Sequence, residues 1–294
     1  MRKVTCKMII KALMPYGLIV LYRYIKNCKN QSRDGNKILE EINFSRPPLK
    51  SYMQDIHGRY DFKGKTVCEI GADINLECAQ AAIKLGAKSV CAVNPNIVPE
   101  KSPHKRLTII KDLGENLNSK VKFDLIYGVA LLEHVLNPED LARKVFELLK
   151  KNGKAYLQGN PFWTGKDGNH HWVTKNPSTR IYRFTDVDTV FDNWYHLTFP
   201  SKDDFAEYML SKNVPQKDII PLYKNVFEHP HISRLTPTEV IKAFTDVKEF
   251  DVDVFRHYAE DEPNEYYNIA KNKYTEEDLK TRGVTLLISR KKAN

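Results

Sequence analysis

Three histidines stand where an imidazole could move a proton: His134, His170 and His171. An imidazole titrates near neutral pH, which suits it to work as a general base. His134 follows the apolar run Phe123–Tyr127, and its alternative use is to cap the helix that comes next. His170 and His171 belong to Gly-Lys-Asp-Gly-Asn-His-His-Trp, a glycine-flanked loop after a later apolar run. Adjacent histidines point in different directions, which disfavours both on one ion. One imidazole with nearby acids could hold a divalent metal, but no metal site is assigned. Cys6, Cys28, Cys68, Cys78 and Cys91 offer neither a CxxC pair nor metal-ligand spacing. They read as the reduced thiols of a cytoplasmic protein.

The scaffold for these side chains centres on residues 65–94. Thr66–Ile70 is a short apolar run after a Lys-Gly-Lys turn and predicts a buried strand closed by Gly71. Ile74–Lys84 carries apolar residues at helical spacing, and Ser89–Val93 is a second strand. Further strands are expected at Leu107–Ile110, Phe123–Tyr127 and Lys154–Gln158, with a helix from Asn137-Pro138 to Asn152-Gly153. Before this core, residues 27–37 read as a loop and Ile38–Ile42 as a short helix. Arg46-Pro47-Pro48 reads as a break and Tyr52–His57 as another short helix. The alternation implies an α/β fold with a doubly wound, mostly parallel, seven-stranded Rossmann-like sheet.

From Asn160 to Arg234 the alternation stops and aromatics, histidine and proline accumulate, with a helix at Lys202–Lys212. This reads as an inserted substrate cap. Its Arg180, Arg183, Trp194, Tyr195, His196, His229, His231 and Arg234 could grip a sugar or phosphate, or simply pack a lid. A helix at Thr236–Phe244 and strands at Val247–Arg256 and Gly283–Ser289 complete the sheet with an antiparallel edge. The expected organisation is a basic extension (1–50), a cofactor-binding half (51–160), the cap (161–235) and the rest of the sheet (236–294).

The charge is concentrated at one end. The net charge is +9, yet residues 1–33 contain eight cations and no acid, so residues 34–294 carry only +1. A nearly neutral body argues against a nucleic-acid partner. Met8–Ile25 is apolar but interrupted by Lys11, Pro15 and Gly17, too broken for a membrane span. It reads either as a basic amphipathic segment resting on an anionic inner membrane surface or as a packed N-terminal helix.

The ordered series Glu69-Ile70-Gly71-Ala72-Asp73-Ile74-Asn75, Asp112-Leu113, Phe123-Asp124-Leu125-Ile126, Leu132-Glu133-His134-Val135 and Leu148–Lys154 resembles the class I S-adenosylmethionine-dependent methyltransferases. The resemblance covers residues 60–160 clearly and 236–292 more weakly. It implies S-adenosylmethionine as cofactor, with Glu69, Gly71, Asp73, Asn94, Asp112 and Leu113 as cofactor-binding residues and His134, His170 and His171 as base candidates. Asp73 and Asn75 stand where the family's later glycines usually do, and Asn94 replaces the acid that takes the ribose hydroxyls. A softer similarity, through the Met-Pro-Tyr-Gly stretch, the histidine loop and residues 275–287, is to methyltransferases of bacterial capsule and surface-polysaccharide pathways. It implies O-methylation of a sugar, or of a sugar- or nucleotide-linked phosphate or phosphoramidate group. The alternatives are an inactive scaffold with the same fold and an N-methyltransferase acting on an amino sugar.

Overall fold

The computed structural model describes residues 33–170, 191–228 and 232–291. The chain divides into two compact units, Met1–Lys111 and Asp112–Asn294. In the first, α1 (Arg33–Glu40) and α2 (Pro47–Arg59) precede β1 (Thr66–Ile70), α3 (Glu77–Lys84), β2 (Ser89–Val93) and β3 (Leu107–Ile110). The three strands run parallel in the order β3-β2-β1, each at its expected residues. The apolar residues of β1 and β2 are buried, β3 buries Leu107 and half-buries Ile109 and Ile110, and Cys68 pairs in register with Cys91. Cys68, Cys78 and Cys91 are free thiols; Cys6 and Cys28 lie outside the described residues.

Two expectations fail here. Residues 33–37, expected as a loop, are helical and join the start of the helix expected from Ile38, and Pro47 does not break structure but begins α2. Proline lacks only an N–H that the first turn leaves unpaired in any case, so the position that forbids a helix interior favours a helix start.

The second unit holds β4 (Phe123–Gly128), α4 (Pro138–Leu148), β5 (Leu149–Gly159), α5 (Lys202–Ser211), α6 (Gln216–Tyr223), α7 (Pro237–Thr245), β6 (Phe250–Tyr258), α8 (Glu265–Ala270), α9 (Glu276–Lys280) and β7 (Thr281–Arg290). β4 and β5 are parallel, and β7 lies antiparallel between β5 and β6. The fold class is the expected α/β, Rossmann-like one, with seven strands, mostly parallel. The antiparallel strand is interior, not at the edge, because the last strand of the chain inserts beside β5. α4 ends at Leu148 and β5 starts at once, since Leu149 pairs with Phe123 before the register shifts to Leu125 with Lys154.

α7 begins where expected, and a capping box explains why. Thr236 Oγ1 accepts the Glu239 N–H at 3.1 Å, and Glu239 Oε2 accepts the Thr236 N–H at 2.7 Å. Trp163, Trp194, Phe205, Met209 and Leu222 are fully or nearly fully buried in an aromatic core that also takes in Tyr267, Ala270 and Leu279, from beyond the expected cap. Trp194 donates its indole N–H to the Leu279 carbonyl at 3.1 Å, and the His196 Nε2 bonds the Trp163 carbonyl at 2.7 Å. Because a carbonyl only accepts, His196 Nε2 carries the proton. Burial pushes its pKa down to about 4, so the ring is a neutral brace. Trp194 and His196 are buried and bonded to backbone carbonyls, the packing role that is the plainer of their two readings. Arg234 gives its guanidinium to the Phe227 carbonyl at 2.5 Å and lies over the Trp163 ring. Arg180, Arg183, His229 and His231 lie outside the described residues.

Among the described residues no helix is long and apolar enough to cross a membrane. Met8–Ile25 lies outside them.

Candidate functional site

In the first unit the chemistry gathers at the carboxyl end of β1. Gly71 takes φ +71°, a left-handed conformation that a side chain would disfavour, and the chain bends there. The N–H groups of Gly71 and Ala72 both donate to the Val93 carbonyl, at 2.9 and 3.1 Å. Asp73 then organises the turn. Its Oδ1 accepts the N–H of Asn75 at 3.2 Å and of Glu77 at 2.9 Å, and its Oδ2 accepts that of Cys78 at 2.9 Å. These are the N–H groups a helix start leaves unpaired, and a carboxylate there also complements the helix dipole. With Leu76 left-handed at φ 63°, α3 therefore begins at Glu77 and not at Ile74 as expected.

Glu69 lies beneath this turn, 1% exposed, and Glu69, Asp73 and Cys78 each bring one ligand-type atom within 4.8 Å of the others. Burial and the two neighbouring carboxylates push the Cys78 thiol well above its ordinary range, so it is inert. Two acidic side chains so close together favour a cationic group, such as an ammonium or a sulfonium. Asn94 is committed nearby. Its Nδ2 donates to the Ala72 carbonyl at 2.7 Å and its Oδ1 accepts the Asn96 N–H at 2.8 Å. Ile74 and Val98, joined by a 3.0 Å backbone bond from Val98 N–H to the Ile74 carbonyl, expose apolar surface on the same loops.

In the second unit, Asp112 Oδ1 accepts the Leu113 N–H at 2.7 Å and the Asn116 amide at 3.0 Å, bonds that hold its carboxyl below the usual range. Oδ2 makes no hydrogen bond among the described residues, and Leu113 is 48% exposed beside it. A charged acceptor next to an apolar side chain can take the hydrogen-bond donors of a nucleoside while the side chain covers its apolar face.

The base candidates lie where parallel β4 and β5 end side by side. After β4 the chain turns through Ala130, left-handed at φ 47°, into a single 3-10 turn, Leu132–His134. The left-handed backbone costs about 1–2 kcal/mol. It is held by Gln158, whose Oε1 accepts the Ala130 N–H at 2.9 Å and whose carbonyl accepts the Leu131 N–H at 2.9 Å. β5 ends at Gly159, and the Asn160–Pro161 bond that follows is cis. The loop to His170 is tied down on several sides. Phe162 N–H donates to the Arg282 carbonyl at 2.9 Å, and Arg282 clamps the buried Asp167 at 2.6 and 2.9 Å. His170 N–H then donates to the Asp167 carbonyl at 3.3 Å, with His170 itself left-handed at φ 59°. Two strained residues, each over-determined by its surroundings, flank one spot, as happens where strain serves a site.

At that spot His134 and His170 have ring centroids 5.2 Å apart, and Glu133, His134 and His170 each bring a ligand atom within 4.8 Å of the other two. His170 Nδ1 bonds the Gly168 carbonyl at 2.7 Å, so Nδ1 carries the proton and Nε2 presents its lone pair. Glu133, 2% exposed, was not singled out from the sequence as a site residue. Burial pushes its carboxyl up to about 8, against backbone N–H bonds from Glu133 itself and Asn160 that favour the charged form. Its Oε2 is buried with no hydrogen-bond partner among the described residues. The only sequence signal for Glu133 was its place between Leu132 and His134. His171, the third base candidate, lies outside the described residues.

The comparisons follow from this geometry. The sequence profile of the methyltransferase domain matches residues 46–213. No curated protein matches the chain significantly. Similar solved structures include an S-adenosylmethionine-dependent methyltransferase from Mesorhizobium loti at 16% identity, covering 83% of this chain and 96% of that one, TM-score 0.45. A Listeria monocytogenes protein described as an S-adenosylmethionine-dependent methyltransferase is 15% identical over 83% of this chain and 98% of that one, TM-score 0.46. The plantazolicin methyltransferase BpumL, solved with a triazolic desmethylPZN analogue and S-adenosylhomocysteine, is 11% identical over 93% of this chain and 98% of that one, TM-score 0.42.

Proposed function

We propose, from the premise that this chain belongs to the methyltransferase-domain family and is an S-adenosylmethionine-dependent methyltransferase, that its acceptor is an oxygen on a small polar molecule. The acceptor class is a sugar hydroxyl, or a sugar- or nucleotide-linked phosphate or phosphoramidate oxygen, of a surface-polysaccharide building block. The observation that supports the reading is the convergence of His134, His170 and Glu133 at the ends of β4 and β5.

The cofactor supplies an electrophilic methyl group on a sulfonium. In the first unit Asp73, Gly71 and Glu69 would meet its charged end. A hydroxyl is a poor nucleophile until its proton begins to leave, so an oxygen acceptor needs a proton-handling group where an amine does not. His134 is exposed and His170 half-buried, so the cluster is open to an acceptor on one side and walled by protein on the other. Holding the acceptor in line supplies the rest of the rate. The nearly neutral charge of residues 34–294 suits a small acceptor better than a nucleic acid, and the basic residues 1–33 would bring the enzyme to an anionic membrane surface.

The test is transfer of a labelled methyl group to a panel of nucleotide sugars, sugar phosphates and amino sugars, with the methylated atom found by mass spectrometry. Label on oxygen is expected. Label on the nitrogen of an amino sugar would overturn the proposed acceptor.

A further inference from the structure

We propose that Glu133, His134 and His170 together hold a divalent transition-metal ion of the zinc or iron(II) class. The proposal rests on the previous reading for what the ion would do to the acceptor, but not for its binding.

Two imidazoles and one carboxylate, with ligand atoms mutually within 4.8 Å, form a donor set that suits zinc or iron(II) better than magnesium or calcium, which prefer all-oxygen shells. The outer contacts of the cluster match those of metal ligands. His170 Nδ1 is fixed on the Gly168 carbonyl at 2.7 Å, which turns the Nε2 lone pair away from that bond and sets the ring's orientation. Ligating histidines are held in this way by their other nitrogen. Glu133 has one oxygen on backbone N–H groups while Oε2 is buried with no hydrogen-bond partner among the described residues, a costly arrangement unless something else satisfies it. Gly159 leaves the room for that oxygen, since a Cβ there would stand 2.9 Å from Oε2 and 2.7 Å from the Leu132 Cβ.

Three protein ligands leave at least one coordination position, and it faces the open side, where His134 is exposed. An acceptor hydroxyl bound there would lose its proton to solvent water more readily, because the ion stabilises the oxyanion. The two histidines would then act as ligands and the ion as the group that activates the oxygen.

The test uses the full chain, freed of metal by a chelator and titrated with Co²⁺ and Zn²⁺ without any acceptor. Co²⁺ reports its ligand field by visible absorption, and Zn²⁺ is followed by calorimetry. One equivalent is expected to bind with a dissociation constant of about 1 μM or lower. His134→Ala and His170→Ala should each weaken binding by about tenfold or more, the cost expected when a ligand is lost. His104→Ala, in the first unit, should leave it unchanged. Since His134 is exposed, its variant should keep the wild-type circular dichroism and melting point, so lost binding there cannot be blamed on unfolding. No binding below about 100 μM would overturn the proposal. So would binding that either histidine variant weakens by less than about tenfold. Labelled methyl transfer surviving in metal-free protein would overturn the ion's role and leave the acceptor assignment standing.

Discussion

Gly168→Ala is expected to lower the melting temperature by roughly 6–12 °C and to abolish the ordered placement of His170. A Cβ at residue 168 would stand 2.2 Å from the Phe162 carbonyl oxygen and 2.3 Å from that of Trp163. Both are backbone atoms, so no rotamer change relieves the clash. The loop cannot back away freely either. Gly165 N–H is bonded to the Phe162 carbonyl at 2.9 Å, and the Trp163 carbonyl takes the His196 bond inside the aromatic core. Overpacking of this kind costs on the order of 3 kcal/mol, and in a chain of this size each kcal/mol moves the midpoint by about 2–4 °C. Gly64→Ala serves as the comparison. Gly64 has φ +72° with nothing within 4 Å of its Cβ, so the expected cost there is only the left-handed strain, about 1 kcal/mol. Differential scanning calorimetry of the two variants checks the ranking. Equal, small shifts would mean that the loop before His170 is not packed as described.

The second large effect is on turnover. His134→Ala and His170→Ala are each expected to lower kcat by about 10²–10⁴-fold on an oxygen acceptor, the usual worth of a proton-handling group. Binding of S-adenosylhomocysteine should stay within about twofold, because neither residue belongs to the turn at β1 or to Asp112-Leu113. His134 is exposed and its removal leaves no cavity, so the melting point should barely move. Steady-state kinetics beside calorimetric binding separates the two quantities. A drop in kcat of less than about threefold in both variants would point to an amine nucleophile, which needs little help with its proton.

Much of the scaffold can be read in the residues. β1, β2 and β3 fall on their predicted spans because short apolar runs bounded by turn residues have few other ways to be buried. α7 was legible from Thr-Pro-Thr-Glu, where every residue of the cap is local. What escaped depended on distant partners. Nothing near Leu149 announces a strand that begins one residue after a helix; its pairing with Phe123 does that. The short helices α6, α8 and α9 carry too few turns for a clear period.

The site was legible in its residue types more than in their roles. Asp73 and Asn94 looked like ligands waiting for a cofactor, yet Asp73 binds its own turn and Asn94 ties the turn after β1 to its own loop. Glu133 stood out only as a member of the Leu132-Glu133-His134-Val135 run, and its burial against Gly159 is a fact of tertiary packing that no local pattern carries. The meeting of His134 with His170 across 36 residues of chain depends on β4 and β5 running parallel, which the alternation of elements did imply.

The most direct measurement is calorimetric titration of the full chain with S-adenosylmethionine and S-adenosylhomocysteine, beside Asp112→Ala. Micromolar binding, about −8 kcal/mol, is expected for both ligands, weakened by about tenfold or more in the variant, which removes the one carboxylate oxygen left open beside Leu113. Absence of binding for both ligands up to about 1 mM would contradict the account and leave a methyltransferase fold that serves as a scaffold.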